Sequence, residues 1–421
     1  MSNDKKYAVI VDPLSAGKEY IKALLIKGIF PILVFSLEAK ESVFYGSFQN
    51  ENHILIEADC VDKIILEIKS YVAQNKIIFC VPGTETGVFL ADQISNHFSL
   101  PCNKISLSTE RRNKYRMQEC LKSAKIKSIS HVRINSVDEL IFHDFTYPVI
   151  VKPAMSAGSD GVTFCETKEQ LQKVAQKLFH KRNQLGGINT ELVVQEYLCG
   201  TEYVVDFVSH NGKHHLVAMW KYKKIENEKS RFIYDSLTLV TQTDINFDKL
   251  VQYTEECLDA LGIVHGPSHN EIMLVEGSPV LIESGARPHG GKSQTLMSHC
   301  FGYNQISVWI SLILNESISL SYQYLNYAAL AFLISDKEGI FKHFGCQKEI
   351  EKLSSYIDFF PFIKENDMLE CTKDLLNIPG IVLFAHKKKE NVESDLIQLR
   401  ILEKLDVFYN AFYKNLMVSG A

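Results

Sequence analysis

Three stretches of the chain carry side chains whose types and spacing could do chemistry on phosphates. In PVIVKPAMSAGSDGV an apolar run reaches Lys152 and passes into a loop of small residues that includes Ser156, Ala157, Gly158, Ser159 and Gly161. Small side chains let backbone N–H groups close over phosphate oxygens, and a lysine at a strand end adds a point charge. Alone, such a stretch could be no more than a flexible hairpin loop. In VVQEYLCGTEYVVDF an apolar strand runs into Glu196, Tyr197 and Leu198, with Glu202 just after Gly200. Extended backbone at 196–198 can offer alternating C=O and N–H groups to an adenine edge, and a carboxylate can accept both ribose hydroxyls. The bland alternative leaves Glu202 as a solvated strand residue. In NEIMLVEGSPVLIESGARPHGG two apolar runs flank a tight EGS connection and read as a hairpin. On one face of it Glu271 and Glu283 can lie side by side, where they would repel each other unless they held a hard divalent cation. Arg287 follows four residues after Glu283, and its planar guanidinium could hold a developing oxyanion or an acyl-phosphate oxygen.

The elements that must position these groups are visible in the hydrophobic periodicity. Residues 6 to 35 read as strand, helix, strand, and the alternation continues through HILIEA, VDKIILEIKSYVAQ, KIIFCVPG and GVFLADQIS, a small doubly wound α/β arrangement. No G-x-G-x-x-G follows the first strand, so a dinucleotide site is poorly supported. The charged run STERRNKYRMQECLKSA reads as helical and leads through IKSISHVRIN to the strand YPVIVKP. Beyond it come a helix, KEQLQKVAQKLF, two strands ending at an Asn-Gly turn, a polar stretch IENEKS expected to be mobile, and the helix FDKLVQYTEECLDALG. The last hundred residues hold strands and one charged helix, VESDLIQLRILEKLDVFYNAF.

Bulk properties exclude several classes of function. A 421-residue chain exceeds the usual size of one hydrophobic core, so two or three domains are expected. The net charge of -5 gives no basic footprint for nucleic acid. The N-terminal apolar run stops at Asp12 and Pro13, too soon for a signal-peptide core, and no later segment is apolar enough to span a membrane. A cytoplasmic location, with no membrane or nucleic-acid partner, is therefore expected. The ten cysteines are dispersed without a C-x-x-C pair, which argues for reduced thiols rather than zinc or disulfides.

In order and spacing these stretches resemble the ATP-grasp superfamily and, within it, the L-amino acid ligase branch, over nearly the whole chain. The resemblance implies a mixed α/β and α+β fold: an N-terminal doubly wound α/β pre-ATP-grasp domain (1–108) and a helical linker (109–147). A small nucleotide-gripping subdomain with the Gly-rich loop (148–210) and a C-terminal core with the metal hairpin and a terminal α+β subdomain (211–421) follow. It implies ATP as the nucleotide, with magnesium or, in its place, manganese. NKYRMQECLKSAKIKS is similar to the helix whose lysine, here Lys114, reaches the nucleotide, and Lys152 becomes the second phosphate lysine. Glu196, Tyr197 and Leu198 fall in the adenine hinge and Glu202 at the ribose. MWKYKK is similar to a segment that brings Lys224, or else Lys221, to the terminal phosphate. Glu271 and Glu283 are the implied magnesium ligands, Arg287 the acyl-phosphate residue, and His289 and Gly290 part of a substrate loop. Gly285 departs from the pattern, since many relatives carry asparagine there as a further metal ligand. Water, phosphate or the bidentate face of Glu283 must then complete the coordination.

Two more residues are candidates for the substrate side. Glu85, in VPGTETGV, resembles a family position facing the active site, although it could equally be a helix-start carboxylate. His269 lies two residues before Glu271 and is a candidate neighbour of the substrate or a structural histidine. His265 and His269 cannot form a helical metal pair, because Gly266 and Pro267 intervene. The string ARPHGGKS satisfies a loose phosphate-loop pattern, yet Ala286 and Pro288 fit it badly. The expected activity is ATP- and magnesium-dependent ligation of a carboxylate, that of an amino acid, to an amine through an acyl phosphate, with a homodimer as the default of symmetry. The rivals are a carboxylase or purine-pathway ligase of the same superfamily, and a non-catalytic ATP-binding protein.

Overall fold

Four parallel strands open the chain, in the order Ile54–Ile56, Ile29–Val34, Lys6–Val11 and Ile77–Pro82. A computed structural model describes residues 5–49, 53–226, 232–375, 377–405 and 408–412. These strands are near-continuous apolar runs because helices cover the sheet, and Val9, Val11, Ile32 and Val34 pack with Ile64, Ile68 and Ile94 from Val61–Tyr71 and Val88–His97. Ligands of such sheets gather beyond the C-terminal strand ends. There the backbone is packed closely: a Cβ on Gly17 would lie 2.5 Å from the Cα of Gly83. Glu85 follows immediately, in the short turn Glu85–Gly87.

The chain divides into two compact units. The first comprises Met1–Met219, Val240–Met297 and Tyr303–Tyr322. Besides the parallel sheet, it contains an antiparallel sheet ordered His131–Ile134, Leu192–Glu196, Val149–Pro153 and Thr163–Cys165. Val149 and Val151 face its core against Leu171 and Ala175 of the helix Lys168–Leu178, so the period-two alternation turns Lys152 to the opposite face. A further antiparallel group runs Ser278–Gly285, Gly266–Val275, Thr201–His210 and the part of Lys213–Ile225 up to Met219. Two-residue turns close its hairpins at Asn211-Gly212 and Glu276-Gly277, each residue with positive φ as a type I′ turn requires.

The second unit comprises Trp220–Leu239, Ser298–Gly302 and Gln323–Ala421. Its strands run Ile233–Leu239, Tyr327–Phe332, Gly380–His386 and Tyr356–Pro361, with a small sheet of Met368–Leu369, Gly339–Phe344 and Tyr409–Phe412. Arg400, on the helix Lys389–Glu403, donates through Nε to Asp235 at 2.9 Å and through Nη2 to the carbonyl oxygen of Phe332.

Two expectations need correction. The charged helix of the last hundred residues stops at Glu403, because Phe408 and Tyr409 are buried and 409–412 pairs as a strand with Gly339–Phe344. The run STERRNKYRMQECLKSA is helical only from Lys114, where the Asn113 side chain caps the helix by accepting from the Arg116 N–H. Of the polar stretch at 225–230, residues 227–230 lie outside the described residues. All ten cysteines are unpaired. Among the described residues, no helix is long and apolar enough to cross a membrane.

Candidate active site

The hairpin expected from the third motif sets Glu271 directly opposite Glu283, with a bulge in register between Glu271 and Ile272. Two carboxylates held face to face are a hard-oxygen donor pair, and the set fits magnesium or a similar divalent cation. Lys114 Nζ lies 3.0 Å from Glu283 Oε1 and also donates to the carbonyl oxygen of Ser156, so one ammonium joins the glutamate hairpin to the Gly-rich loop.

Lys152 is buried beside this group. Burial, and then the neighbouring Lys114 charge, push its pKa down to about 8, against the pull of Glu283, Glu271 and Glu202. The loop after it is shaped by positive φ at Gly158, Ser159 and Gly161, and any Cβ on Gly161 would meet the Pro153 ring at 2.9 Å. Ser156 Oγ donates to Asp160, Asp160 accepts the Gln184 N–H, and Asn183 donates to the Met155 carbonyl. These bonds pin the loop's base while Ala157 to Ser159 form its tip.

At the hinge, Glu196 ends its strand with its carboxylate tied to the Ser130 N–H at 2.8 Å, which leaves the backbone beyond it as the polar feature. The Tyr197 ring meets Phe164 edge-on, with centroids 4.9 Å apart. Glu202 is buried opposite Met273.

A chain of alternating charge leads away from the glutamate hairpin. Arg287 Nε donates to Glu85 at 3.1 Å, Glu85 also meets Arg112 at 3.3 Å, and Arg112 pairs with Glu38 at 2.9 Å. Burial opposes ionisation of Glu85, but the Arg112, Arg287 and Lys114 charges win and hold its pKa below the usual carboxylate value. Gly285 gains a reason here. A Cβ at that position would lie 2.9 Å from Glu85 Oε2 and 3.2 Å from Arg287 Nε, so an asparagine would push the ion pair apart.

Beside it, Asp206 faces two imidazoles: Nδ1 of His269 at 3.1 Å and Nδ1 of His289 at 2.8 Å. His269 Nε2 lies 3.3 Å from Glu271. Burial raises the Asp206 pKa, but the two histidines more than offset this and bring it to about 2. Burial lowers His269, but hydrogen bonds to Asp206 and Glu271 raise it to about 9, whereas burial prevails at His289, near 4. His269 is thus the charged member at neutral pH.

The first unit therefore brings together Lys114, Lys152, Ser156, Glu271 and Glu283, with Glu85, Arg287, His269 and His289 adjoining, and Gly290 near Ser15 in the loop after Arg287. Lys221 and Lys224 belong to the second unit, where Lys221 is exposed and Lys224 Nζ sits 4.2 Å above the Tyr234 ring.

An ATP-grasp domain family matches residues 145–296, the span from the strand before the Gly-rich loop to the loop after Arg287. Dapdiamide A synthase of Enterobacter agglomerans is 30% identical over 418 residues, covering 95% of this chain and 96% of that protein. The chain belongs to the ATP-grasp family. It is an ATP-dependent ligase of that family, forming an amide or peptide bond. Among solved structures, an L-amino acid ligase from Bacillus licheniformis superposes with a TM-score of 0.76 at 16% identity, covering 98% of this chain and all of that one. A phosphoribosylglycinamide synthetase from Anaerococcus prevotii gives 0.65 at 15% identity, covering 98% and 100%. These two likenesses concern the ATP-grasp fold.

Sequence reasoning passed over Arg112, Glu38 and Asp206. Nothing in the charged run marked Arg112 as buried. Asp206 did leave a signal, since it lies four residues after Glu202 and therefore on the same face of an apolar strand.

The depressed Lys152 pKa makes a pH prediction for this ATP-grasp site. Phosphate needs the ammonium form, and in the free protein the amine becomes neutral above about pH 8. Nucleotide affinity should be flat below that point and weaken above it, by up to about tenfold per pH unit, until the pH passes the higher pKa that bound phosphates give the lysine. Calorimetric ADP titrations from about pH 6.5 to about pH 9.5 read this directly. Lys152→Met should bind weakly and show no break; a wild-type affinity that stays flat across the range removes Lys152 from the phosphates.

Proposed function

We propose that this ATP-grasp ligase activates the carboxylate of one amino acid as an acyl phosphate and passes the acyl group to the amine of a second, releasing ADP and phosphate. The observation that carries this reading is the convergence of the paired glutamates, the two buried lysines and the fixed Arg287 guanidinium in one unit. The near-full-length likeness to a dapdiamide A synthase supports amide formation between amino-acid-like substrates.

Glu271 and Glu283 would hold magnesium, which when bound supplies charge neutralisation to the nucleotide phosphates. Lys152 and Lys114 bind phosphate oxygens, and backbone N–H groups of 156–161 close over them, excluding water from the acyl phosphate. The substrate carboxylate attacks the γ-phosphorus, breaking its bond to the β-bridging oxygen. The neutral amine of the second substrate then adds to the acyl carbon, Arg287 stabilises the tetrahedral oxyanion, and phosphate departs as the amide forms. Glu85 and Arg112 keep the Arg287 guanidinium in place for that step. A cytoplasmic homodimer is the proposed setting.

A matrix of the common amino acids, alone and in pairs, scored for phosphate release and for a new amide by mass, tests the reading. A pair that yields its dipeptide with matching phosphate supports it. Turnover with aminoimidazole or ribosylamine nucleotides and with no amino-acid pair would replace it by a purine-pathway reaction.

A further inference from the structure

We propose that Asp206 is a positioning residue for the ligase reaction, using one carboxylate oxygen to hold His269 against Glu271 and the other to hold His289 behind Arg287. The inference rests on the proposed role of Glu271 as a metal ligand.

Asp206 is fully buried on Thr201–His210, directly across the sheet from His269. A carboxylate in that setting is costly unless each oxygen is paired. Both are: Oδ1 lies 3.1 Å from His269 Nδ1 and Oδ2 lies 2.8 Å from His289 Nδ1. With both oxygens engaged, Asp206 acts through its neighbours rather than on substrate. The two imidazoles lie against each other, with centroids 4.0 Å apart and planes tilted by 37°.

Each histidine is secured at its far side as well. His269 presents Nε2 to Glu271 Oε1 at 3.3 Å. The His289 backbone N–H donates to Gln305 Oε1 at 2.8 Å, and its backbone carbonyl accepts from Gln294 Nε2 at 3.1 Å. One buried carboxylate therefore ties the metal hairpin to the loop two residues beyond Arg287. The three side chains offer ligand atoms within 4.8 Å of one another, near enough for a transition-metal site. The hydrogen-bond distances favour the other arrangement, because an imidazole Nδ1 that donates its proton to Asp206 has no lone pair there for a metal. Groups that hold a ligating side chain from behind typically change metal affinity or activity about 10–100-fold when removed.

The test is Mn2+ binding to the protein–ADP complex, read from the electron paramagnetic resonance signal of free Mn2+, with ADP affinity and thermal midpoint measured alongside. Asp206→Asn should weaken Mn2+ binding about 10–100-fold while ADP binding without metal stays within about threefold. A purely structural role would lower the thermal midpoint and leave the Mn2+ constant where it was. His269→Asn covers the case in which Asp206→Asn does not fold. Its amide nitrogen can replace Nδ1 toward Asp206 but nothing replaces Nε2 toward Glu271, so the same loss of Mn2+ affinity is expected. Wild-type Mn2+ affinity in Asp206→Asn, or in His269→Asn if the first variant is unfolded, overturns the positioning role alone. A wild-type protein that binds no Mn2+ with ADP overturns the metal assignment and the positioning role together.

Discussion

Glu283→Gln is expected to fold, to bind ADP, and to turn over at least about 10³-fold more slowly at every magnesium concentration. An amide is a far poorer ligand for a hard cation than a carboxylate. Glu283 also occupies the centre of the site: it faces Glu271 across the hairpin, and its Oε1 lies 3.0 Å from Lys114. Stability should change little, since losing the Lys114 ion pair is offset by relief of repulsion between two facing carboxylates. ADP release measured across a magnesium titration decides the matter. A variant within tenfold of wild type at high magnesium would place the metal elsewhere.

Arg287→Ala is expected to lower amide formation by a factor on the order of 10²–10³, the range for losing one preorganised donor to an oxyanion, while ADP affinity stays within about threefold. The guanidinium is held ready by Glu85, which Arg112 anchors to Glu38, so its orientation is set before substrate arrives. Removing Arg287 leaves Glu85 its bond to Arg112, so the local fold should survive. Equal losses of nucleotide affinity and turnover would mean that Arg287 serves the nucleotide instead.

Much of the candidate site's geometry was legible because its signals are local. Period-two alternation and the Glu276-Gly277 turn determine the register of the Gly266–Gly285 hairpin, and with it the facing of Glu271 and Glu283. The same alternation turned Lys152 away from the core of Val149 and Val151. What stayed hidden depends on contacts distant in sequence. Arg111 and Arg112 sit in a run of charges indistinguishable from a solvated helix face, yet both are buried, Arg111 on Asp92 and Arg112 on Glu38, 74 residues away. Asp206 was obscured because the whole of 202–209 is buried, so alternation did not separate a core face from a functional one. The helix read through 412 ended early for a similar reason: burial of Phe408 and Tyr409 outweighed the charged periodicity before them. Gly285, read only as a departure from its relatives, gained its reason from Glu85 and Arg287, whose ion pair fills the space a side chain would take.

The most direct test of acyl-phosphate chemistry is a complete reaction of one accepted amino acid, ATP, magnesium and hydroxylamine, with nucleotides resolved by ion exchange and hydroxamate quantified in parallel. Attack at the γ-phosphorus leaves ADP, whereas attack at the α-phosphorus would leave AMP and pyrophosphate. The proposed roles of the paired glutamates, Lys114 and Lys152 call for the former. Aminoacyl hydroxamate and ADP in equal amounts, both falling together in Arg287→Ala, is the predicted result; AMP as the stoichiometric product would contradict it.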